Sequence, residues 1–185
     1  MAEYYLMSQL PALDGLGDNM PVPITEERFL ELCSRFLSKK AQGELSRLTL
    51  APSKEAEKTS SALIRAWNEG ERDLRLAMAK ARADKLKKPY ELGLRLLPVE
   101  LTRVANAAVE LDNPMEAERF LDAHRMAALE ALRPSDAFSE DMVFFYGLKL
   151  KLLLRSRRFD AALGTAAYKN IYSSIMNGEE LEAIQ

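Results

Sequence analysis

Leu63-Ile-Arg-Ala-Trp67-Asn-Glu-Gly70-Glu-Arg-Asp-Leu74-Arg-Leu-Ala77-Met-Ala-Lys-Ala81-Arg-Ala-Asp-Lys-Leu86 is the stretch on which the fold turns. Apolar or small residues at Leu63, Trp67, Gly70, Leu74, Ala77 and Ala81 recur at alternating intervals of four and three. That spacing is the seam of a helix that lays one face against another helix. The last two positions, Ala77 and Ala81, are small, so a second helix can approach closely there. Ser53 is a good N-cap and no proline follows before Leu86, which predicts one long helix over that span. The seam is shorter than a coiled coil requires. A hairpin within the chain and a helix supplied by a partner both satisfy it.

Upstream, Tyr4 to Leu10 is short and apolar, either extended or a brief helix, and a loop rich in Gly and Pro follows Asp14. Thr25 reads as an N-cap, with Glu26 and Glu27 against the positive end of the helix dipole. The helix it opens places Phe29, Leu32, Cys33, Phe36 and Leu37 on one face. A short helix is predicted around Gly43 to Leu50, closed by Pro52.

Downstream of Pro89, Pro98 opens a helix through Leu101, Val104, Ala105, Ala108 and Leu111. Asn113-Pro114-Met115-Glu116 is the clearest start signal in the chain: an Asn cap, proline at the first helical position, and a glutamate three residues on. That helix ends near Arg133-Pro134. Ser139 caps the next, through Val143, Tyr146, Gly147, Leu150 and Leu154, with a turn at Arg155 to Asp160. A last helix is predicted over 160–176, stopped by Asn177-Gly178.

These helical periods, with Gly and Pro at only 8 each and no clean strand alternation, predict an all-α fold. Short connections predict a bundle of antiparallel helical hairpins with one long central helix. The 185 residues read as a single helical domain, 1–185, with a sub-boundary near 89–98. No 34-residue period is present.

The chemistry of a reaction centre is missing from the sequence. One His and one Cys, about ninety residues apart, make no ligand set. There is no nucleophile elbow, phosphate loop or dinucleotide fingerprint. The expectation is no enzyme, no metal and no cofactor. Cys33 reads as a packed thiol and His124 as a rim histidine. Lys80, Arg82, Lys85, Lys87 and Lys88 cluster, but Asp84 interrupts them and no aromatic residue interleaves for base stacking. A solvated or protein-docking face is favoured there, and no nucleic-acid partner is expected. No secretory signal and no apolar run of membrane-spanning length is present, so a cytoplasmic protein without direct membrane insertion is expected.

Three patches resemble an uncharacterised bacterial family, domain of unknown function 2764. They are Tyr4-Tyr5-Leu6-Met7-Ser8-Gln9-Leu10-Pro11-Ala12-Leu13; Trp67 to Leu86 with Glu71, Leu74, Arg75, Ala79, Arg82, Ala83 and Lys85; and Tyr146-Gly-Leu-Lys149-Leu-Lys-Leu with Arg155, Phe159, Asp160 and Gly164. Members of that family are encoded beside V-type ATPase subunits. The layout is also similar to the C subunit (eukaryotic d) of rotary ATPases, although this chain is shorter than that subunit.

The resemblance implies a non-catalytic accessory, assembly or stalk-associated protein of a V-type ATPase. It would dock onto protein subunits and lie peripheral to the inner membrane through that complex. Partner-binding candidates are Tyr4, Tyr5, Trp67, Leu74, Arg75, Arg82, Lys85, Lys88, Tyr146 and Lys149, and a homo-oligomer is compatible with the pattern. A general helical adaptor with unrelated partners is the alternative, followed by a nucleic-acid-associated helical protein.

Overall fold

The computed structural model describes residues 2–16, 20–55, 58–90, 96–157 and 172–173. Among them the regular structure is helical, without a strand: α1 (Ala2–Gln9), α2 (Glu26–Phe36), α3 (Lys39–Ser46), α4 (Ala62–Lys85), α5 (Val99–Glu110), α6 (Pro114–Ala131) and α7 (Glu140–Arg157). The chain divides into two compact units, Met1–Leu154 and Arg155–Gln185. The sub-boundary expected near 89–98 falls in the chain between α4 and α5, where residues 91–95 lie outside the described residues. Arg155–Arg157 continue α7 and do not form the expected turn. Apart from the helical pair Tyr172 and Ser173, the predicted 160–176 helix and its stop lie outside the described residues.

Caps read from the sequence open α2, α6 and α7. Thr25 Oγ1 accepts from Arg28 N, and Asn113 Oδ1 accepts from Met115 N. Ser139 Oγ accepts from Met142 N. Two boundaries differ from expectation. The short helix begins at Lys39, because Ser38 rather than Gly43 heads it, its Oγ accepting from Ala41 N. The long helix begins at Ala62, not after Ser53. Thr59-Ser60-Ser61 offers local side-chain bonds that compete with helix, and Glu44 fixes the run in place. Its carboxylate accepts from Thr59 Oγ1 at 2.7 Å and from Ser60 N at 3.2 Å. Ser61 then caps α4 by accepting from Ile64 N, and its hydroxyl donates to Asp141 Oδ1 at 2.6 Å.

The apolar residues gather into two clusters. The larger joins Leu6 and Leu13, the buried face of α2, Leu45 and Leu48, the first turns of α4 (Leu63, Ile64, Trp67), Leu129 and α7. At its middle lies α7, where every residue from Met142 to Leu150 is buried. A helix apolar all round belongs inside a core, so α7, and not the longer α4, is the central helix of this cluster. The smaller cluster joins Leu74, Ala77, Met78 and Ala81 of α4 to Ala105 and Ala108 of α5 and Leu121 of α6. Alanines on both α4 and α5 let those backbones come close.

The seam on α4 is therefore filled from within the chain. Gly70, expected on it, is exposed, and Glu71 takes the buried place. Glu71 Oε1 accepts from Arg125 Nε at 3.0 Å, and Arg125 Nη1 donates to Asp122 Oδ1 at 2.8 Å. All three are buried. This charged belt separates the two clusters: on α4 it falls between Trp67 and Leu74, and on α6 between Leu121 and Leu129. Lys85 Nζ donates to Val109 O, bringing the C-terminal ends of α4 and α5 together. A plain antiparallel hairpin would instead put the end of α4 beside the start of α5.

Candidate functional site

The ten candidate residues fall into three groups. The first is engaged in contacts within the chain. Trp67 and Leu74 are only 3% and 2% exposed and belong to the core. Trp67 Nε1 donates to Thr49 O at 3.2 Å, and the Arg75 guanidinium spans Leu50 O and Pro52 O at 3.1 and 3.0 Å. These residues clasp the α3–α4 connection to α4. As partner-binding candidates Trp67 and Leu74 are corrected: helical spacing marks a packed face without saying whose residues pack on it. Arg75 itself is exposed.

Tyr146 and Lys149 are likewise drawn inward. Tyr146 stacks on Phe29 with ring centroids 5.3 Å apart, and its hydroxyl donates to Pro11 O at 2.8 Å. Burial first, then the nearby Cys33, pushes the Tyr146 phenol well above its ordinary range. Lys149 donates to Asp14 and Glu130, and Arg133 donates to the same two carboxylates at 3.2 and 2.7 Å. Arg133 also lies over the Phe145 ring, 4.8 Å from its centroid. This network straps the segment after α1 onto α6 and α7, beside an open cleft of about 150 Å³ lined by Met7, Leu10, Pro11 and Met142.

The hydrogen bond from Lys149, aided by Arg133, holds Asp14 below its ordinary carboxylate value. Burial alone would raise Glu130, but the bonds from Lys149 and Arg133 outweigh it, and its carboxyl is also lowered. Elsewhere, burial pushes the Cys33 thiol up to about 12, so it stays protonated and unreactive. Burial, with Arg125 beside it, lowers His124 and leaves the imidazole neutral.

The second group is a surface. Tyr4 and Tyr5 are 52% and 59% exposed, edge to face at 5.7 Å, and Phe138 lies 4.8 Å from Tyr4. Leu6, between two faces of the same short helix, is fully buried and anchors it. Phe138 was not among the candidates. It sits in the α6–α7 connection, far along the chain from Tyr4, and no local pattern announces the pairing.

The third group, Arg82, Lys85 and Lys88, lies at the end of α4 and is exposed. That end closes with the N–H of Lys88 on Ala83 O and the N–H of Lys87 on Asp84 O, at 2.9 and 3.0 Å. This is the paired bonding of a Schellman turn, with Lys87 at the left-handed position, φ 53°.

Among the described residues no set of His, Cys, Asp and Glu is grouped as a metal site would need, and no helix is long and apolar enough to cross a membrane. No protein family, curated protein or solved structure matches this chain. The likeness to the domain 2764 family rests on the three sequence patches alone.

Proposed function

We propose that this chain is a non-catalytic accessory, assembly or stalk-associated protein of a bacterial V-type ATPase, acting by docking onto its protein subunits. The observation that carries the docking reading is the Tyr4, Tyr5 and Phe138 cluster. Rigid aromatic side chains lose little entropy on contact and supply large amphipathic area, which is why they are enriched at interfaces. Tyr4 and Tyr5 also fall in the first of the three patches that resemble the ATPase-linked family. The other two patches are largely consumed by packing, through Trp67, Leu74 and Tyr146, so the N-terminal face is the better docking surface. Arg82, Lys85 and Lys88 add charge that orients a partner more than it tightens the contact.

Affinity purification from the native cell tests the reading. ATPase subunits should accompany the tagged chain, and Tyr4→Ala with Tyr5→Ala should lower their recovery by at least about tenfold. Recovery of the chain without any ATPase subunit would overturn it.

A further inference from the structure

The aromatic face of α1 does not end at its rings. Met7 lies three residues beyond Tyr4 on the same side of α1, and Met142 lies four residues beyond Phe138. Both methionines line the cleft of about 150 Å³ beside the strap. Tyr5, Tyr4 and Phe138, joined by their ring contacts, therefore lead into an apolar recess walled by flexible thioethers. Such walls adapt to the side chain that enters. The charge carried by the ring-bearing segments is one-sided. Residues 2–10 and 134–141, which supply the three rings, hold four acids, Glu3, Asp136, Glu140 and Asp141, and no basic residue. Asp136 and Glu140 are exposed and accept from neutral donors, Phe138 N at 2.9 Å and Ser38 Oγ at 3.2 Å, which leave their charge standing. Each lies two residues from Phe138, a span of at most about 7 Å, inside the ~8 Å reach of a charge at physiological salt. The cations in the cleft wall, Lys149 and Arg133, are balanced by Asp14 and Glu130.

We propose that this surface seats a basic amphipathic helix of the protein partner, with arginine or lysine over the exposed rings near Asp136 and Glu140 and one aliphatic side chain in the cleft. It rests on the docking reading of the aromatic face, whichever protein supplies the helix. Charge complementarity selects the occupant. Aromatic faces attract cations, and the carboxylates beside them add to that attraction. The same chemistry already operates within the chain at the cleft wall, where the Arg133 guanidinium lies over Phe145. A nucleic acid or an anionic lipid surface would meet the carboxylates with like charge. A second copy meeting this face with its own would do the same. The cleft lies between α1 and α7, and a groove between two helices is a natural seat for a third. Among the described residues there is no strand edge on which an extended peptide could pair its main chain.

Fluorescence anisotropy with the full chain is the test. The probe is a labelled helical peptide of Leu, Ala and Arg with its leucines on one face. It should bind, more weakly as salt rises, and a twin carrying Glu at every Arg should not. Asp136→Asn with Glu140→Gln keeps both acceptors, removes both charges and should weaken binding about three- to tenfold. Glu110→Gln with Asp112→Asn makes the same charge change on exposed residues at the end of α5 and should leave binding intact. Tyr4→Ala with Phe138→Ala should weaken it by at least about tenfold. A second twin with Ser for Leu should also lose affinity, since the cleft is apolar. Circular dichroism checks that each variant folds. Equal binding of either twin, equal loss in the two acid pairs, or no binding at all would overturn the proposal. So would a preference for a basic proline-rich peptide. Self-association of the chain that Tyr4→Ala with Phe138→Ala abolishes would make a second copy the occupant and overturn it too. The readout contains no ATPase subunit, so failure of the peptide sinks this inference alone, and absence of ATPase subunits from the native cell sinks only the identity of the partner.

Discussion

Lys87 holds a left-handed backbone, φ 53°, at the position where helix ends usually place glycine. An L side chain there costs about 1–2 kcal/mol, partly offset because glycine loses more chain entropy on folding. Lys87→Gly is therefore expected to stabilise the fold by about 0.5–1 kcal/mol, read as a raised midpoint in urea. Residue chemistry elsewhere was open to reading in advance where it is local. Thr25, Asn113 and Ser139 announced their caps, and Cys33 its buried, inert thiol. Lys87 did not, because Lys-Lys-Pro carries none of the glycine that flags such a turn. Phe138 was missed for the opposite reason: its partner, Tyr4, is distant in the chain.

Two glycines separate the helices by what surrounds them. A methyl added at Gly147 of α7 would meet Leu48 Cδ2 at 3.0 Å and Phe29 Cε1 at 3.1 Å, and both neighbours are buried. At Gly70 of α4 it would meet nothing within 4 Å. Helix propensity favours alanine by up to about 1 kcal/mol at each, while overpacking costs about 1–3 kcal/mol. Gly70→Ala should stabilise and Gly147→Ala should destabilise by about 1 kcal/mol, and chemical denaturation of the pair measures the contrast. The sequence expectation put Gly70 on the packed seam of α4, where it is exposed, and Gly147 on the apolar face of α7, where it is buried. The heptad count was right for Leu63, Trp67, Leu74, Ala77 and Ala81, but a charged Glu71 is not recognisable as a core residue until Arg125 is brought beside it. The same limit hid the role of α7. A stripe through Val143, Tyr146, Gly147, Leu150 and Leu154 marks one apolar face, whereas burial of Lys149 as well depends on Asp14 and Glu130 meeting its ammonium. Helix existence was legible for α2 to α7 because 3.6-residue periodicity is local, whereas Tyr4 to Leu10 is too short to show a period and stood open between extended and helix. Which helix lies innermost is not a local property.

The first unit as a whole is held at its N-terminal edge by charge. Asp14 and Glu130 are lowered from ordinary values of 3.8 and 4.5 by Lys149 and Arg133. A carboxyl whose folded value lies below its unfolded one contributes fully above the unfolded value. That contribution is lost as the pH falls through the folded value. The melting temperature should accordingly drop as the pH falls below about 4. Asp14→Asn should melt lower than the wild type at pH 7 and lose less on acidification, as thermal melts across that range will show. The belt of Glu71, Arg125 and Asp122 has a consequence of another kind. Apolar contact is what makes distant helices unfold in concert, and here the contact is interrupted by ions. The alanine-lined side built on α5 should open sub-globally while the side around α7 stays closed. Native-state hydrogen exchange should thus find α5 amides exchanging at lower free energy than those of α7, and equal values with equal denaturant slopes would mean a single cooperative unit.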